Sequence, residues 1–302
     1  MIVVFYYTQS GQALDVAKRI CQPLAEAGTE VVWRPIIPQQ TYPFPWNKYE
    51  FFDSFPETRL GMPPSGIQPL DFSGIEKAEL VMIVGQSWFL SPSLPLQSFF
   101  ENEQVKAYLE GKKVVFVNAC RNMWLMTGRA VKAYLHEIKA CQVGHIVLQD
   151  TAPNLISALT IVRWLLYGKK QSSWLLPAAG VRKADIEDAS RFGDIIKIAI
   201  EKNDFQHLQP QLLAAGAIDY KPSILLLEKT GHRMFGHWAH FIRKRGGFRD
   251  PCRRTRVNLF FYYLLVVLFV VSPFAQLFFY LTYPLHCVGK HKREDCYIES
   301  NN

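Results

Sequence analysis

The sequence predicts an α/β protein with a doubly wound, five-stranded parallel sheet, followed by a C-terminal transmembrane helix. Short runs of continuously apolar residues alternate with amphipathic segments, as in parallel sheets that are covered on both faces. Residues 257–285 contain no Asp, Glu, Lys or Arg, which predicts the membrane helix. The composition, 49% hydrophobic and 20% charged over 302 residues, excludes a disordered or collagen-like chain.

Each element follows from its own pattern. Apolar runs predict the strands, and apolar residues at helical spacing predict the helices between them. The predicted strands are residues 2–7, 30–33, 80–84, 113–118 and 143–148. The predicted helices are residues 12–27, 96–109, 128–138 and 186–201. Right-handed crossovers would place these helices on both faces of the sheet.

The domain predicted from these elements is residues 1–205, with two insertions. Residues 34–78 are rich in aromatic residues and in prolines, which preclude a long helix. Residues 151–184 include an apolar helix with a basic end, which could lie on a membrane, cover a substrate site or form a subunit interface. The aromatic loop 42–55 and the helix 155–167 are candidate walls of a substrate entrance.

Residues 206–256 are predicted as a basic juxtamembrane segment, residues 257–285 as the membrane helix and residues 286–302 as a tail. As a helix the 29 apolar residues reach about 44 Å, which exceeds the roughly 30 Å hydrocarbon core of a bilayer. Pro273 leaves a re-entrant hairpin as an alternative.

The distribution of basic residues predicts where the domain lies and what it binds. Seven basic residues fall within residues 243–256, against three after the apolar segment. This asymmetry predicts a main domain in the cytoplasm, at the inner membrane if the cell is bacterial. A single basic block directly before an apolar segment favours membrane lipid as the partner and argues against nucleic acid.

The cysteines and histidines predict no metal site in the main domain. His237 and His240 share a helical face but have no acidic third ligand close by, and their aromatic and basic neighbours favour an interfacial helix. In the tail, a disulfide between Cys287 and Cys296 and a metal site with the nearby histidines both stay open. The cysteines of the main domain match no zinc-binding spacing: Cys21, Cys120 and Cys141.

The turn between the first strand and the first helix predicts a phosphate site. N–H groups at a helix start are unpaired and lie at the positive end of the helix dipole, and hydroxyls add further donors. The turn has no lysine, which disfavours a Walker-type nucleotide hydrolase, and capping of the helix is the alternative interpretation. The turn consists of Thr8, Gln9, Ser10, Gly11, Gln12 and Ala13.

Two more loops open at the same edge of the predicted sheet, where ligands of doubly wound proteins bind. The loop after the third strand covers residues 85–93, and the loop after the fourth covers residues 118–124. Their candidate ligand-binding residues are Gln86, Ser87, Trp88, Phe89, Asn118, Ala119, Cys120 and Asn122.

These three loops resemble those of flavodoxin-like proteins, whose phosphate loop has the form T/S-x-T/S-G-x-T. The resemblance implies that residues 8–13 hold the phosphate of FMN and that the other two loops flank the flavin ring, with Trp88 as the best candidate for stacking. The final Thr of the pattern is Ala13 here, which removes one hydroxyl.

The opening FYYTQSGQ and the later YPFPWNKYEFFDSFPET are similar to the proteins labelled dialkylresorcinol-condensing enzymes, which are flavodoxin-like. This resemblance implies redox aromatisation of a cyclic diketone, with a ketosynthase as a candidate partner and a homodimer as a candidate assembly. The sequence identifies no catalytic residue; Arg121 could hold an anionic group or be an ordinary loop arginine.

We therefore expect a membrane-anchored, FMN-dependent oxidoreductase that acts on an apolar cyclic diketone or a quinone-like small molecule. The alternative is a non-catalytic, flavodoxin-like scaffold that docks a lipid or polyketide biosynthesis enzyme to the membrane. Ala13 is the feature that favours the scaffold.

Overall fold

The computed structural model describes residues 1–219, 222–271 and 273–274. Its strands, all in one sheet, are β1 (Ile2–Tyr6), β2 (Val31–Pro35), β3 (Leu80–Trp88), β4 (Ser91–Pro92), β5 (Lys113–Cys120) and β6 (Cys141–Gln149). Five of them are parallel, in the order β2-β1-β3-β5-β6, and the short β4 pairs antiparallel with the end of β3.

The strand order identifies the fold. The chain runs from β1 outward to β2, returns to β3 on the other side of β1, and continues outward through β5 to β6. This is the doubly wound order of flavodoxin-like proteins, with a reversal between β1 and β3. The predicted fold class is therefore confirmed, and β4 adds a sixth, two-residue strand to the five parallel ones.

The α-helices of the described residues lie on both faces of the sheet and at its carboxyl edge. They are α1 (Gln12–Glu26), α2 (Lys48–Asp53), α3 (Phe55–Leu60), α4 (Leu94–Glu101), α5 (Glu103–Leu109), α6 (Leu125–Glu137), α7 (Asn154–Tyr167), α8 (Lys183–Asp188), α9 (Ser190–Glu201), α10 (Leu208–Ala214), α11 (Pro222–Arg243) and α12 (Arg254–Val266). A 3₁₀ turn, Pro251–Arg253, precedes α12, and a π turn, Val267–Val271, follows it.

Alternate residues of β1 enter two different cores, which shows that both faces of the sheet are buried. Ile2 and Val4 pack with α1, α9 and α10, whereas Val3 and Phe5 pack with α4, α5 and α6. The approach of α9 to α1 is close: a Cβ on Gly193 would lie 2.0 Å from the carbonyl oxygen of Ile20. These contacts fix the strand ends that carry the predicted loops.

Six of the nine predicted elements end within three residues of the observed ones, and the other three differ more. The predicted helix 96–109 is broken into α4 and α5, because Asn102 is extended and its Oδ1 accepts hydrogen bonds from the N–H groups of Gln104 and Val105. The predicted helix 186–201 is likewise two helices, α8 and α9. Residues 85–88, predicted as a loop, continue β3, because residues 85–86 pair with β5 and residues 87–88 pair with β4.

A group of helices at the carboxyl edge, here called the helical cap, consists of α2, α3, α11 and residues 251–271. Its apolar contacts are aromatic: the rings of Phe55 and Phe260 stack with centroids 3.8 Å apart, and both rings contact Phe235. The cap therefore joins part of the insertion 34–78 to the chain that follows residue 222.

A buried arginine also connects these two parts of the cap. Arg253 is 0% exposed. Its Nε donates to Oδ1 of Asp53 at 2.7 Å, and its Nη1 and Nη2 donate to the two carboxylate oxygens of Glu57 at 2.7 and 2.9 Å. Arg243 adds a further hydrogen bond to Glu57 Oε1 at 2.8 Å. This pairing compensates the cost of burying the guanidinium and the two carboxylates.

Within the described residues, Pro251–Val271 is the helical stretch that is long and apolar enough to cross a membrane. A buried helix of a soluble protein can pass the same test, although little of this stretch is buried. Val257 and Phe260 pack into the cap, whereas Leu259, Tyr262 and Val266 are exposed. Residues 275–285 of the predicted membrane helix and the tail 286–302 lie outside the described residues.

Candidate functional site

A cavity of about 330 Å³ lies at the carboxyl ends of β1, β3 and β5. Its volume is in the range of small-molecule sites, roughly 300–1,000 Å³. Three loops of the sheet line one side, and α7, the helical cap and Phe44 line the rest. Because strand order reverses between β1 and β3, the cavity occupies the position where doubly wound proteins bind ligands.

The loop after β1 presents the start of α1 to this cavity. Gly11 has a φ of +88°, a left-handed conformation that glycine adopts at little cost. The first backbone hydrogen bond into the helix runs from the N–H of Asp15 to the carbonyl oxygen of Gly11, at 3.0 Å. Among the described residues the N–H groups of residues 12–14 have no acceptor. These free donors suit an anion.

The side chains of the same loop have different roles. Ser10, Gln12 and Ala13 line the cavity, as does Gln9. Gln12 is already paired, because its Nε2 donates to the carbonyl oxygen of Val181 and its Oε1 accepts from the N–H of Val181, both at 3.0 Å. Thr8 is not part of the lining, but its Oγ1 is buried and has no partner in the part of the chain that the structure describes.

An FMN phosphate fits this loop. The unpaired hydroxyl of Thr8, the three free N–H groups and the Ser10 side chain at the cavity wall are donors of the kind that bind phosphate. Ala13 has no hydroxyl at the position where the flavodoxin-like loop pattern has Thr, but its backbone N–H is one of the three free N–H groups. The cavity is open to Ser10, Gln12 and Ala13, and Thr8 lies just outside its lining.

β3 reaches the cavity as a hairpin. Residues 87–88 pair with residues 91–92, and the two residues between them have positive φ, 47° for Phe89 and 63° for Leu90. Large side chains are rare in this left-handed region, and such strain is concentrated at functional sites. Both turn residues line the cavity.

Trp88, the ring expected to stack on a flavin, is 6% exposed. It makes edge contacts with Tyr7, Tyr42 and Trp46, with ring centroids 6.1, 5.3 and 5.5 Å away. These three rings hold the indole in one orientation, and it also lines the cavity. Trp88 is therefore a fixed aromatic wall.

The loop after β5 brings a cation to the cavity. Arg121 lines it, and donates from Nε to Asn122 Oδ1 at 3.1 Å and from Nη2 to Asn154 Oδ1 at 2.8 Å. Burial lowers the pKa of Arg121 to about 10, so the guanidinium stays charged at neutral pH. Arg121 can therefore stabilise negative charge on a bound ligand.

The predicted residues of this loop separate into two groups. Ala119 and Cys120 line the cavity, whereas Asn118 and Asn122 do not. Asn118 is buried and donates from Nδ2 to Ser87 Oγ at 3.1 Å, so it joins β5 to β3. Asn122 accepts a hydrogen bond from Arg121 and so helps to orient the guanidinium of that residue. Of the β3 residues, Gln86, Ser87, Trp88 and Phe89 all line the cavity.

The environment of Cys120 disfavours its thiolate form. Burial, followed by the nearby charge of Glu228, raises the pKa of its thiol well above the usual value, so the sulfur stays protonated. Glu228 itself has a pKa raised to about 7 by burial, against the effect of hydrogen bonds from the first N–H groups of α6. Its Oε1 accepts from the N–H of Met126 at 2.8 Å, and so it caps α6.

Within the cap, α11 and residues 264–268 form a cavity wall that the sequence prediction did not include. The predicted walls, helix 155–167 and loop 42–55, do line the cavity, through residues such as Ile161 and Phe51. Apolar residues of the unpredicted wall recur at helical spacing in the sequence, and that periodicity could have predicted it. It consists of Leu227, Gly231 and Phe235 of α11 and of Leu264, Val267 and Leu268 in and after α12.

Among the described residues no three His, Cys, Asp or Glu side chains are grouped to hold a metal ion. His232, in α11, lies with Nδ1 3.1 Å from Nη2 of Arg59. Burial and this arginine lower the pKa of His232 to about 4. Cys287 and Cys296, the candidates for a disulfide or a metal site in the tail, lie outside the described residues.

No protein-family model and no curated protein matches the chain. Among solved structures it is similar to a flavodoxin from the domain Archaea, with 13% identity over 66% of this chain and 98% of that one, at a TM-score of 0.38. A flavoprotein from Lactobacillus acidophilus NCFM in complex with FMN has 16% identity over 48% and 91%, at 0.40. An azoreductase from Bacillus anthracis str. Sterne has 12% identity over 64% and 99%, at 0.35. These TM-scores are too low to carry an argument, and the fold is assigned from the strand order.

Proposed function

We propose that this chain is an FMN-dependent oxidoreductase, held at a membrane by the apolar stretch that begins at Val257. The observation that carries the proposal is the shared cavity: the phosphate-binding turn of β1 and the apolar residues of α7 and α12 line the same space. A cofactor phosphate and an apolar substrate would therefore be held within reach of each other.

The apolar lining defines the substrate class. Most side chains outside the three sheet loops are aromatic or aliphatic, and Arg121 is the cation among the described lining residues. A cyclic diketone or a quinone-like ring suits this combination, because its carbonyl oxygens gain negative charge as the ring changes oxidation state and Arg121 can stabilise that charge. The resemblance of the opening motif extends the proposal to the aromatisation step of dialkylresorcinol-type lipid biosynthesis.

Bound FMN would supply a two-electron acceptor or donor for hydride transfer. The residues of this chain do the rest. The turn at residues 8–13 binds the phosphate, Trp88 and Phe89 form a rigid aromatic wall, and the apolar helices exclude water from the ring. Cys120 forms no covalent intermediate, because its thiol is protonated.

The visible spectrum of the full chain, purified in detergent, tests the cofactor. We expect flavin absorbance in the purified protein, or its appearance with saturable binding when FMN is added. Protein that is folded by circular dichroism but neither contains nor binds FMN would overturn the proposal.

A second candidate function is the non-catalytic scaffold, which Ala13 favours because this position has no hydroxyl for the phosphate. Gly11→Val separates the two. No atom lies within 4 Å of a Cβ on Gly11, but a φ of +88° strains any β-branched residue there, so the turn at the cofactor phosphate is distorted. An enzyme would lose FMN and activity, whereas a scaffold would keep its binding to a ketosynthase.

A further inference from the structure

The segment after α7 ends in a turn that exposes two large apolar side chains. Trp174 is 93% exposed and Leu175 is 74% exposed. They are the two central residues of a tight turn in which Ser173 N–H donates to Leu176 O at 2.8 Å and Leu176 N–H donates to Ser173 O at 3.3 Å. An ordered turn that exposes a Trp and a Leu side chain to water indicates a surface that contacts a binding partner in the functional state.

The base of this turn is fixed to the domain on both sides. Ala179 N–H donates to Lys170 O at 2.8 Å, and Arg163 Nε of α7 donates to Lys169 O at 3.2 Å. The segment then reaches Val181, whose backbone is paired with Gln12 at the phosphate-binding turn. The exposed turn is therefore a rigid projection beside the cavity.

The chain on both sides of the turn is basic, although its last two cations, Arg182 and Lys183, pair with Asp185 and Glu187. Residues 151–184 contain five basic residues and no Asp or Glu. Lys169 is exposed, Lys170 lies with Nζ 5.1 Å from the Trp164 ring centroid, and Tyr167 is 69% exposed before them. Exposed Trp and Tyr next to lysines are typical of protein surfaces at the boundary between lipid headgroups and acyl chains.

The position in the fold agrees with that chemistry. α7 contacts the π turn Val267–Val271, at the end of the stretch that could enter a membrane. Leu159 and Val162, on the same helix, add to the exposed apolar surface. α7 thus contacts the proposed membrane anchor, and the exposed turn follows α7 in the chain.

We propose that residues 167–176 form a second membrane contact, in which Trp174 and Leu175 insert into an anionic phospholipid bilayer and Lys169 and Lys170 bind its headgroups. The inference rests on the membrane anchoring in the proposed function, and it goes further by stating how the domain is oriented. Two contacts fix the domain on the bilayer, where one helix alone would let it rotate, and they keep the cavity next to the lipid.

The test uses the full chain reconstituted in vesicles of phosphatidylcholine and phosphatidylglycerol, with and without brominated acyl chains. The fluorescence difference between wild type and Trp174→Phe isolates the emission of Trp174. We expect this emission to be blue-shifted and quenched by the brominated lipid. Trp33→Phe is the control, because Trp33 lies on β2 against Tyr6 and its difference signal should not be quenched.

Charge reversal tests the headgroup contact. With Lys169→Glu, the equilibrium constant for inserting the turn should fall by more than about fivefold, because the loss of one basic residue near an anionic surface accounts for roughly this factor and the new carboxylate adds repulsion. Omitting phosphatidylglycerol should weaken quenching of Trp174 in wild type and change little in the variant.

Two results would overturn the inference. If Trp174 emits as it would in water and is not quenched, the turn stays in solvent. If its emission is blue-shifted but brominated lipid does not quench it, the turn is covered by protein, such as a second copy of the chain. Flavin absorbance of the same samples separates the two proposals. If the protein binds FMN but brominated lipid does not quench Trp174, only the proposed membrane contact is rejected. If Trp174 is quenched but the protein cannot bind FMN, only the proposed cofactor is rejected.

Discussion

The two walls of the cavity are held in place by different forces. The sheet wall is positioned by the parallel ladder and by side chains packed on both faces of each strand. The helical cap is positioned by stacked aromatic rings and by the pairing of Arg253 with Asp53 and Glu57. Apolar packing tolerates many substitutions of similar volume, whereas a buried ion pair fails when one partner is removed. The cap should therefore be the more fragile wall.

The largest expected effect is on the cap. Glu57→Gln leaves Arg253 and Arg243 with less compensating charge in a buried site, and removing one partner of a buried pair costs about 3–5 kcal/mol. Hydrogen exchange should rise in residues 47–60 and 234–264 and stay unchanged in β1, β3 and β5. Glu103→Gln is the control: its pair with Lys106 is at the surface, so it should cost under about 1 kcal/mol. Equal effects of the two variants would show that the cap does not depend on Arg253.

The second effect is a pH dependence at the contact between the cap and α6. Burial raises the folded-state pKa of Glu228 from 4.5 to about 7, so its stabilising effect is complete below pH 4.5 and is lost as the pH rises through 7. The loss amounts to about 3 kcal/mol. Glu228→Gln stays neutral, so the difference in free energy of unfolding between variant and wild type should grow over this pH range. A constant difference would mean that Glu228 is ionised throughout.

The third effect is on the sheet side. Gly193→Ala places a Cβ 2.0 Å from the carbonyl oxygen of Ile20, so α9 must move away from α1. Such overpacking costs about 1–3 kcal/mol, seen as lower stability to denaturant. Gly247→Ala, with no atom within 4 Å of the new Cβ, should change little. Hydrogen exchange in the cap should not respond to Gly193→Ala if the two walls are independently held.

The smallest effect is on cofactor affinity. Thr8→Val removes a buried hydroxyl that has no partner within the described chain, so we expect FMN to bind about tenfold more weakly, or about 1.4 kcal/mol, at unchanged stability. Thr127→Val is the matched control, because Thr127 Oγ1 is also buried without a partner but lies in α6 and not in the phosphate-binding turn. Equal FMN affinity in both variants would exclude a role of Thr8 in the phosphate site.

The two walls also differ in how well the sequence predicts them. The strands of the sheet are continuous apolar runs, so β1, β3 and β5 and the edge at which their carboxyl ends meet follow from local pattern. The pairing of Arg253 with Asp53 joins residues 200 positions apart, and no local pattern contains it. The basic residues before the apolar stretch predict a lipid contact, yet one of them, Arg253, is buried and paired inside the protein.

The hairpin at the end of β3 was missed for a different reason. A two-residue hairpin turn with positive φ at both positions is usually signalled by Asn-Gly or a similar pair, and here the pair is Phe89 and Leu90. The turn is instead held by contacts of its side chains: the Phe89 ring lies 4.7 Å from Phe51, and Leu90 contacts Gly231 of α11. Tertiary packing has overridden the local preference.

That turn also limits how the protein can be improved. Replacing Phe89 and Leu90 by Asn and Gly would relieve the backbone strain and give a hairpin that forms more readily by itself. The same exchange would remove two side chains that touch both the ligand space and the cap. Because the Phe89 ring packs against Phe51, Phe52 and Phe55, the exchange should destabilise the cap more than it relaxes the turn, and the variant should retain an apolar ligand poorly.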